Sequence, residues 1–233
     1  MKAINHKLIN NLLDAIFPLP ECFGVICTDD GDELVHDFCI RNAIKQVDPK
    51  AVCTYGMSKL VIMSPDLGDY VIKIPFNGYY SQTYYEDGDN EELEWMDFYE
   101  APTIDSWDYC YSEYEKLVDL RKVHLDSFVA DTLFYREIDG IKIFLQEKIY
   151  LIDKDPKAKS LHLAKRWKNE KYYSMNLKWI AKCIDCYGEN KTKKFLEYCE
   201  NVDEDILSDT HGGNYGYRKN GTPALLDYSG FYC

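Results

Sequence analysis

The sequence predicts an α+β chain in which a sheet-bearing portion precedes a mainly helical one. Three observations carry that expectation. Short Val- and Ile-rich runs, separated by turn residues, recur between Ser58 and Ile149. Helical periodicity dominates from Asp155-Pro156 to about Asp203. The last stretch, Ile206 to Cys233, breaks into short apolar pieces joined by Gly-rich turns. Period-two runs bounded by Gly, Pro or Asp read as strands, whereas apolar residues three and four apart read as helix.

Taken in order, a first helix is expected from about Asn5 to Ile16, stopped by Pro18 and Pro20, since proline removes a helix donor. A second should cover Asp32 to Lys45. Ser58–Met63 (SKLVIM) and Asp69–Phe76 (DYVIKIPF) flank a Ser-Pro-Asp-Leu-Gly turn signal and read as an antiparallel hairpin. Alternation along the second strand puts Tyr70, Ile72, Ile74 and Phe76 on one face and Val71, Lys73 and Pro75 on the other. Trp107 to Lys122 reads as a helix, with Tyr111, Tyr114, Leu117, Val118 and Leu120 over one broad face. Val129–Ile138 and Ile141–Ile149 form a second strand pair across Asp139-Gly140, a favoured two-residue hairpin turn.

Composition narrows the function classes. The 233 residues suit one large domain or two small lobes, and a hydrophobic fraction of 46% argues against disorder. A net charge of −13 disfavours nucleic acid as a partner, because phosphate contacts need clustered Lys and Arg. No window has the run of about eighteen apolar residues that a membrane span requires. The start, MKAINHKLINNLLDAIFPLP, lacks the apolar core and cleavage site of a leader, so nine cysteines read as reduced thiols in a cytoplasmic protein. Cys183 and Cys186 form a C-x-x-C, but they fall inside the helical pattern Leu177, Ile180, Ala181, Ile184, Tyr187 with no second pair at zinc spacing. Charge is uneven. Glu91, Glu92, Glu94, Asp97 and Glu100 crowd one stretch, and Lys154, Lys157, Lys159, Lys165, Arg166 and Lys168 another. Such runs are solvated faces or complementary docking surfaces.

The chemistry is concentrated near the end, in Ile206-Leu-Ser-Asp209-Thr-His-Gly-Gly-Asn214 and Ala224-Leu-Leu-Asp227-Tyr-Ser-Gly230. Phosphoryl transfer needs a carboxylate to orient the acceptor hydroxyl and oxygen ligands to hold Mg²⁺ against the phosphates. Asp209 suits the first role, and Asn214 with Asp227 the second. Asn220-Gly221 supplies a turn that brings the two loops together.

These residues resemble the protein-kinase-like family. Asp209 to Asn214 matches its Asp-x-x-x-x-Asn catalytic loop, and Asp227-Tyr-Ser-Gly230 resembles a looser form of its Asp-Phe-Gly magnesium loop. The thirteen-residue gap from Asn214 to Asp227 also looks like the family's. His211, two after Asp209, is similar to the loop of aminoglycoside and choline kinase-type phosphotransferases. The resemblance implies a bilobal fold, with an antiparallel-sheet lobe at 51–149, a truncated helical lobe at 150–233 and a helical extension at 1–50. It implies Lys73, in Tyr70-Val-Ile-Lys73, as the lysine that contacts the α and β phosphates of ATP. Gly56 and Ser58 stand where the glycine-rich phosphate cover belongs, though Gly56 is the lone glycine there. The lysine's helix carboxylate would be Glu113, four and seven residues before Leu117 and Leu120, with Glu115 as the alternative on the other flank. Phe144-Leu-Gln-Glu147-Lys148 resembles the strand-to-hinge junction, where adenine bonds backbone groups near Glu147.

The implied activity is transfer of the γ-phosphoryl of Mg-ATP to a hydroxyl of a protein or small molecule. A nucleotide-binding pseudokinase acting through protein contacts is the alternative. Two departures bear on the choice. Leu207-Ser208 replaces the usual residues before the catalytic Asp, and only three residues follow Gly230. The acceptor-binding helices of the relatives are therefore expected to be absent, or replaced by the N-terminal segment, the acidic insert, a protein partner or a second copy of the chain. Compact kinase-like proteins of this build are similar to ones encoded by bacteriophages, which implies a host cytoplasmic setting.

Overall fold

In the computed structural model, residues 4–17, 25–28, 35–55, 59–75, 79–82, 108–151, 158–170, 176–207 and 212–229 are described. The acidic insert at 86–107 lies outside them. The chain is α+β and divides into two compact units, Met1–Tyr111 with Leu133–Gln146, and Ser112–Thr132 with Glu147–Cys233.

The first unit is built on a sheet covered by helices. Helix α1 (His6–Ile16) starts where expected because the Asn5 side chain caps it, accepting from the Leu8 N–H at 3.2 Å. It buries Ile9, Leu12, Leu13 and Ile16. A short strand β1 (Val25–Thr28) leads to α2 (Val35–Val47). Strands β2 (Val52–Tyr55), β3 (Lys59–Met63) and β4 (Tyr70–Pro75) follow, and β5 (Tyr79–Gln82) pairs in parallel with β1 away from the main sheet. With β6 (Thr132–Ile138) and β7 (Ile141–Glu147), an antiparallel sheet of order β2-β3-β4-β7-β6 results.

The expected β3–β4 hairpin is present, in the register Leu60↔Ile74, Val61↔Lys73 and Ile62↔Ile72. Its connection is a short 3₁₀ turn, Pro65–Leu67, capped by Ser64, whose Oγ accepts from the Asp66 N–H at 3.0 Å. Asp139 and Gly140 turn β6 into β7 with φ of 52° and 82°, the left-handed pair that a type I′ turn demands. One sheet face carries Leu60, Ile62, Ile72, Ile74, Ile141, Ile143 and Leu145, which share a core with Ile9, Leu12, Leu13 and Ile16 of α1 and Ile40 and Ile44 of α2. Helices α1 and α2, from the segment expected as a helical extension, thus share this unit's core. The apolar sheet face requires a cover, and α1 and α2 supply it.

Most of α3 (Tyr109–Lys122) belongs to the second unit, where Leu117 and Leu120 are buried. The helical stretch expected after Pro156 comprises α4 (Leu161–Glu170), α5 (Leu177–Tyr187) and α6 (Glu189–Asn201). Asn176 caps α5 by accepting from the Lys178 and Trp179 N–H groups, and Gly188 at φ 86° ends it. Trp179, Ile180, Phe195, Tyr215, Leu225 and Tyr228 belong to this unit's core. Cys183 and Cys186 lie on α5 as free thiols, and burial pushes the pKa of both up. Raised thiols are poor nucleophiles. No helix among the described residues is long and apolar enough to cross a membrane.

A three-stranded sheet of order β10-β9-β8 closes the second unit, from β8 (Tyr150–Leu151), β9 (Tyr215–Tyr217) and β10 (Pro223–Leu225). Gly216 pairs with Leu151, and a Cβ there would sit 2.6 Å from the Tyr150 carbonyl oxygen. Backbone cannot retreat as a side chain can. Gly216→Ala should therefore destabilise the protein by about 1–3 kcal/mol, read from the urea midpoint. An unchanged midpoint would mean that β8 does not hold β9 this closely.

Candidate functional site

Two of the expected metal ligands are brought together by one hairpin. Strands β9 and β10 pair antiparallel, with Tyr215 opposite Leu225. At the closed end, the Arg218 N–H donates to Thr222 O and the Gly221 N–H to Arg218 O, both at 2.8 Å, with Gly221 at φ 82°. Asn220 Oδ1 reinforces the turn by accepting from the Thr222 N–H at 3.0 Å and its Oγ1 at 2.7 Å. At the open end, the Leu226 N–H donates to Asn214 O at 3.0 Å. Asn214 and Asp227 are thus carried to the same end of the hairpin despite their separation in the sequence.

Asn214 is buried, with 5% of its surface exposed, while Asp227 is half-buried and its Oδ1 accepts from Ser229 Oγ at 3.0 Å. Tyr228 anchors the segment in the core. Its hydroxyl donates to Ala130 O at 2.9 Å and lies 3.0 Å from Thr132 Oγ1. Burial, helped by the charge of Glu113, pushes the Tyr228 phenol far up, so it stays a neutral donor. Next to it, Ser229 O accepts from Ser112 Oγ of α3 at 3.2 Å. Glu113 follows on that helix with none of its surface exposed, whereas Glu115 faces solvent. The core-facing carboxylate of α3 is therefore Glu113.

In the first unit, Lys73 sits on the central strand β4, opposite Val61 and only 3% exposed. All six residues of β4 are buried, so the sheet is covered on both faces and Lys73 is not an ordinary exposed strand lysine. Alternation from Ile72 and Ile74 places Lys73 on the face turned away from α1 and α2. On β7 the same rule puts Lys142, Phe144 and Gln146 on that face, where Phe144 and Gln146 are buried.

Glu147, at the end of β7, is held in the second unit. Its carboxylate accepts from Arg218 Nε at 3.0 and 2.9 Å and from the Asp131 N–H at 3.3 Å. Its own N–H donates to Asp131 O at 2.7 Å. Both the side chain and the amide of Glu147 are thus engaged within the protein, leaving any adenine contact to neighbouring backbone groups. Arg218 escaped the sequence reading. Its terminal nitrogens donate to Ser127 O at 2.9 Å, Tyr187 Oη at 3.0 Å, Pro223 O at 3.2 Å and Val129 O at 2.6 Å. No local signal marked it, because its acceptors are scattered along the sequence. Burial pushes the pKa of Tyr187 up to about 12, which keeps its hydroxyl protonated beside this network.

Gly56, Ser58, Asp209 and His211 lie outside the described residues. No family model matches the chain, and no curated protein matches it. Among the described residues, no group of three or more His, Cys, Asp or Glu side chains is placed to hold a metal ion. Asn214 and Asp227, at one end of the hairpin, offer one amide and one carboxylate oxygen. One carboxylate with one amide oxygen suits Mg²⁺, which keeps waters and substrate phosphates as its remaining ligands.

Proposed function

We propose that this chain is a kinase-like phosphotransferase of compact bilobal build, which binds Mg-ATP and transfers the γ-phosphoryl group to a hydroxyl of a protein or small molecule. The observation that carries the reading is the β9–β10 hairpin, which gathers Asn214 and Asp227 at one end through the Leu226 N–H to Asn214 O bond. The buried Lys73 and the buried Glu113 add support, each within its own unit.

In this reading Asn214 and Asp227 hold the metal, which neutralises charge on the phosphate oxygens. Lys73 binds the α and β phosphates, and Glu113 fixes the position of that lysine. Gly56 and Ser58 cover the phosphates, while backbone near Glu147 takes the adenine. Asp209 accepts the proton of the acceptor hydroxyl as its oxygen bonds to the γ phosphorus. The bond to the bridging oxygen breaks, and ADP leaves. The setting is cytoplasmic, and a protein partner or a second copy of the chain contributes to the acceptor pocket.

The test is incubation with γ-labelled ATP and Mg²⁺, with and without a cell lysate, for wild type and Lys73→Ala. Wild type should transfer label, and Lys73→Ala should do so about 10²- to 10³-fold more slowly, as expected for removing a preorganised charge. ATP binding without transfer to any acceptor would favour the pseudokinase alternative. A chain that binds no nucleotide would sink both readings, and equal turnover in Lys73→Ala would remove that lysine from the site.

A further inference from the structure

Two helices of the second unit present a basic face on a chain whose net charge is −13. Near the end of α5, the Asp185 carboxylate accepts from the Lys159 N–H at 2.7 Å and the Ser160 N–H at 3.1 Å, just ahead of α4. The start of α4 is thus tied to the end of α5, and the two helices pack side by side. Ala164 and Trp167 of α4, and Trp179, Ile180 and Cys183 of α5, belong to the core. His162 and Lys165, three apart on α4, are exposed on the side turned away from it, and Lys159 is exposed beside the helix start. Lys182 lies half-buried on α5. Across residues 158–167 and 176–187 there are five Lys or Arg and one carboxylate, Asp185. Arg166 and Lys178 are exposed but engaged within the protein. Lys159 and Lys165 enter no ion pair among the described residues. Lys182 feels Asp185, which also accepts from Ser160 Oγ at 2.6 Å. One carboxylate does not balance this face, so it keeps an excess of positive charge.

The complement of that face is in the same chain. Residues 86–100 hold eight Asp or Glu and no Lys or Arg, with Trp95, Phe98 and Tyr99 among them. This segment lies outside the described residues. Surfaces of opposite sign steer encounter and suppress wrong partners. A nucleic-acid backbone is the poorer match, because its phosphates meet the repulsion of the whole acidic chain. Two complementary surfaces on one chain allow one copy to bind the next.

We propose that the basic α4–α5 face is a self-association surface, which receives the acidic 86–100 segment of a second copy of this chain. The proposal stands apart from the kinase-like reading and survives its failure. Each copy offers one face and one segment, so exchange in both directions closes a dimer. The contact joins exposed charges, so it is reversible and weakens as salt is added.

Sedimentation equilibrium of the full chain, at low and high salt, tests this with two charge-reversed variants. Lys159→Glu with Lys165→Glu reverses the face, at positions that are exposed and outside the core. Glu91→Lys with Glu92→Lys and Glu94→Lys reverses the segment. Wild type should dimerise, less tightly at high salt, and each variant alone should dimerise about 10- to 100-fold more weakly. An equal mixture of the two variants should recover the dimer, because the acidic segment of one meets the basic face of the other and the reversed pair also matches. Failure to recover on mixing would refute the pairing, as would a wild type that stays monomeric or a dimer that neither variant weakens. Should either variant not fold, a labelled peptide of residues 86–100 is titrated into wild type and into Lys165→Gln. Weaker binding to Lys165→Gln is expected, and equal binding overturns the proposal. Tighter binding of a single-stranded oligonucleotide than of the peptide, lost in Lys165→Gln, would assign the face to nucleic acid instead.

Discussion

On the proposed kinase-like reading, Asp227→Asn should lower Mg²⁺-dependent phosphoryl transfer by about 10²- to 10³-fold and raise the Mg²⁺ concentration needed for half-maximal rate. The substitution is nearly isosteric and retains the oxygen that accepts from Ser229 Oγ at 3.0 Å. Tyr228 keeps its core position through Ala130 O and Thr132 Oγ1, so the segment stays anchored. The main change is the loss of one negative charge at a half-buried position. The unfolding midpoint should hardly move while the metal dependence does. Asn214→Ala probes the same site from the other strand. Its backbone carbonyl still accepts from the Leu226 N–H, so the hairpin is preserved while the proposed oxygen ligand is removed. Transfer at the wild-type rate and Mg²⁺ dependence in Asp227→Asn would show that this carboxylate does not hold the metal. A lowered midpoint with unaltered metal dependence would make Asp227 a structural residue.

The parts of the fold legible in the sequence are those whose signals are local. Asp139-Gly140 and Asn220-Gly221 name their turns because Asp139, Gly140 and Gly221 take left-handed backbone and the Asn220 side chain bonds the turn, and both turns are present. The β3–β4 hairpin and α3 follow from periodicity in a single segment. The β1–β5 pair was not legible. It joins Val25 to Tyr79 across more than fifty residues, and four-residue strands leave little period to read. Asn176 and Gly188, which divide the long helical stretch, are ordinary cap signals and were readable.

At the site, the sequence supplied candidates but not their burial. Alternation showed that Lys73 avoids the Ile72–Ile74 face, yet it cannot tell whether a second layer covers its own. The β4 burial pattern answers that, since every residue of the strand is buried. Helical spacing likewise left Glu113 and Glu115 on opposite flanks of one stripe. Packing buries Glu113 and leaves Glu115 exposed, beside the Ser112 hydroxyl that bonds Ser229 O. Arg218 remained invisible for another reason. Its acceptors come from Ser127, Val129, Glu147, Tyr187 and Pro223, which only tertiary structure assembles.

That dispersal makes Arg218→Ala the substitution with the largest expected effect on stability, a loss of about 3–5 kcal/mol in urea unfolding. The Arg218 and Glu147 side chains are 17% and 18% exposed, so water replaces little of what is removed. Truncation leaves the Glu147 carboxylate with the Asp131 N–H but without its cation, removes a donor from Val129 O, and leaves Ser127 O and Pro223 O to share the Tyr187 hydroxyl. Arg218→Lys should recover only a small part of the loss, because one ammonium cannot reproduce a planar fork that faces acceptors in several directions. Glu147→Gln should cost less than Arg218→Ala, since the guanidinium keeps its carbonyl acceptors. In the double variant Arg218→Ala with Glu147→Ala the two losses should sum to less than their separate values, because removing both ends leaves no stranded charge. Equal and additive losses would mean that the pair is not coupled and that Arg218 acts through packing alone. The network also bears on the site, because Arg218 begins the turn that closes the β9–β10 hairpin. Loosening that end should weaken Mg²⁺ dependence in Arg218→Ala below the temperature at which the protein unfolds, without touching either ligand. Wild-type metal dependence in a folded Arg218→Ala variant would show that the hairpin holds Asn214 and Asp227 in place without its buried ion pair.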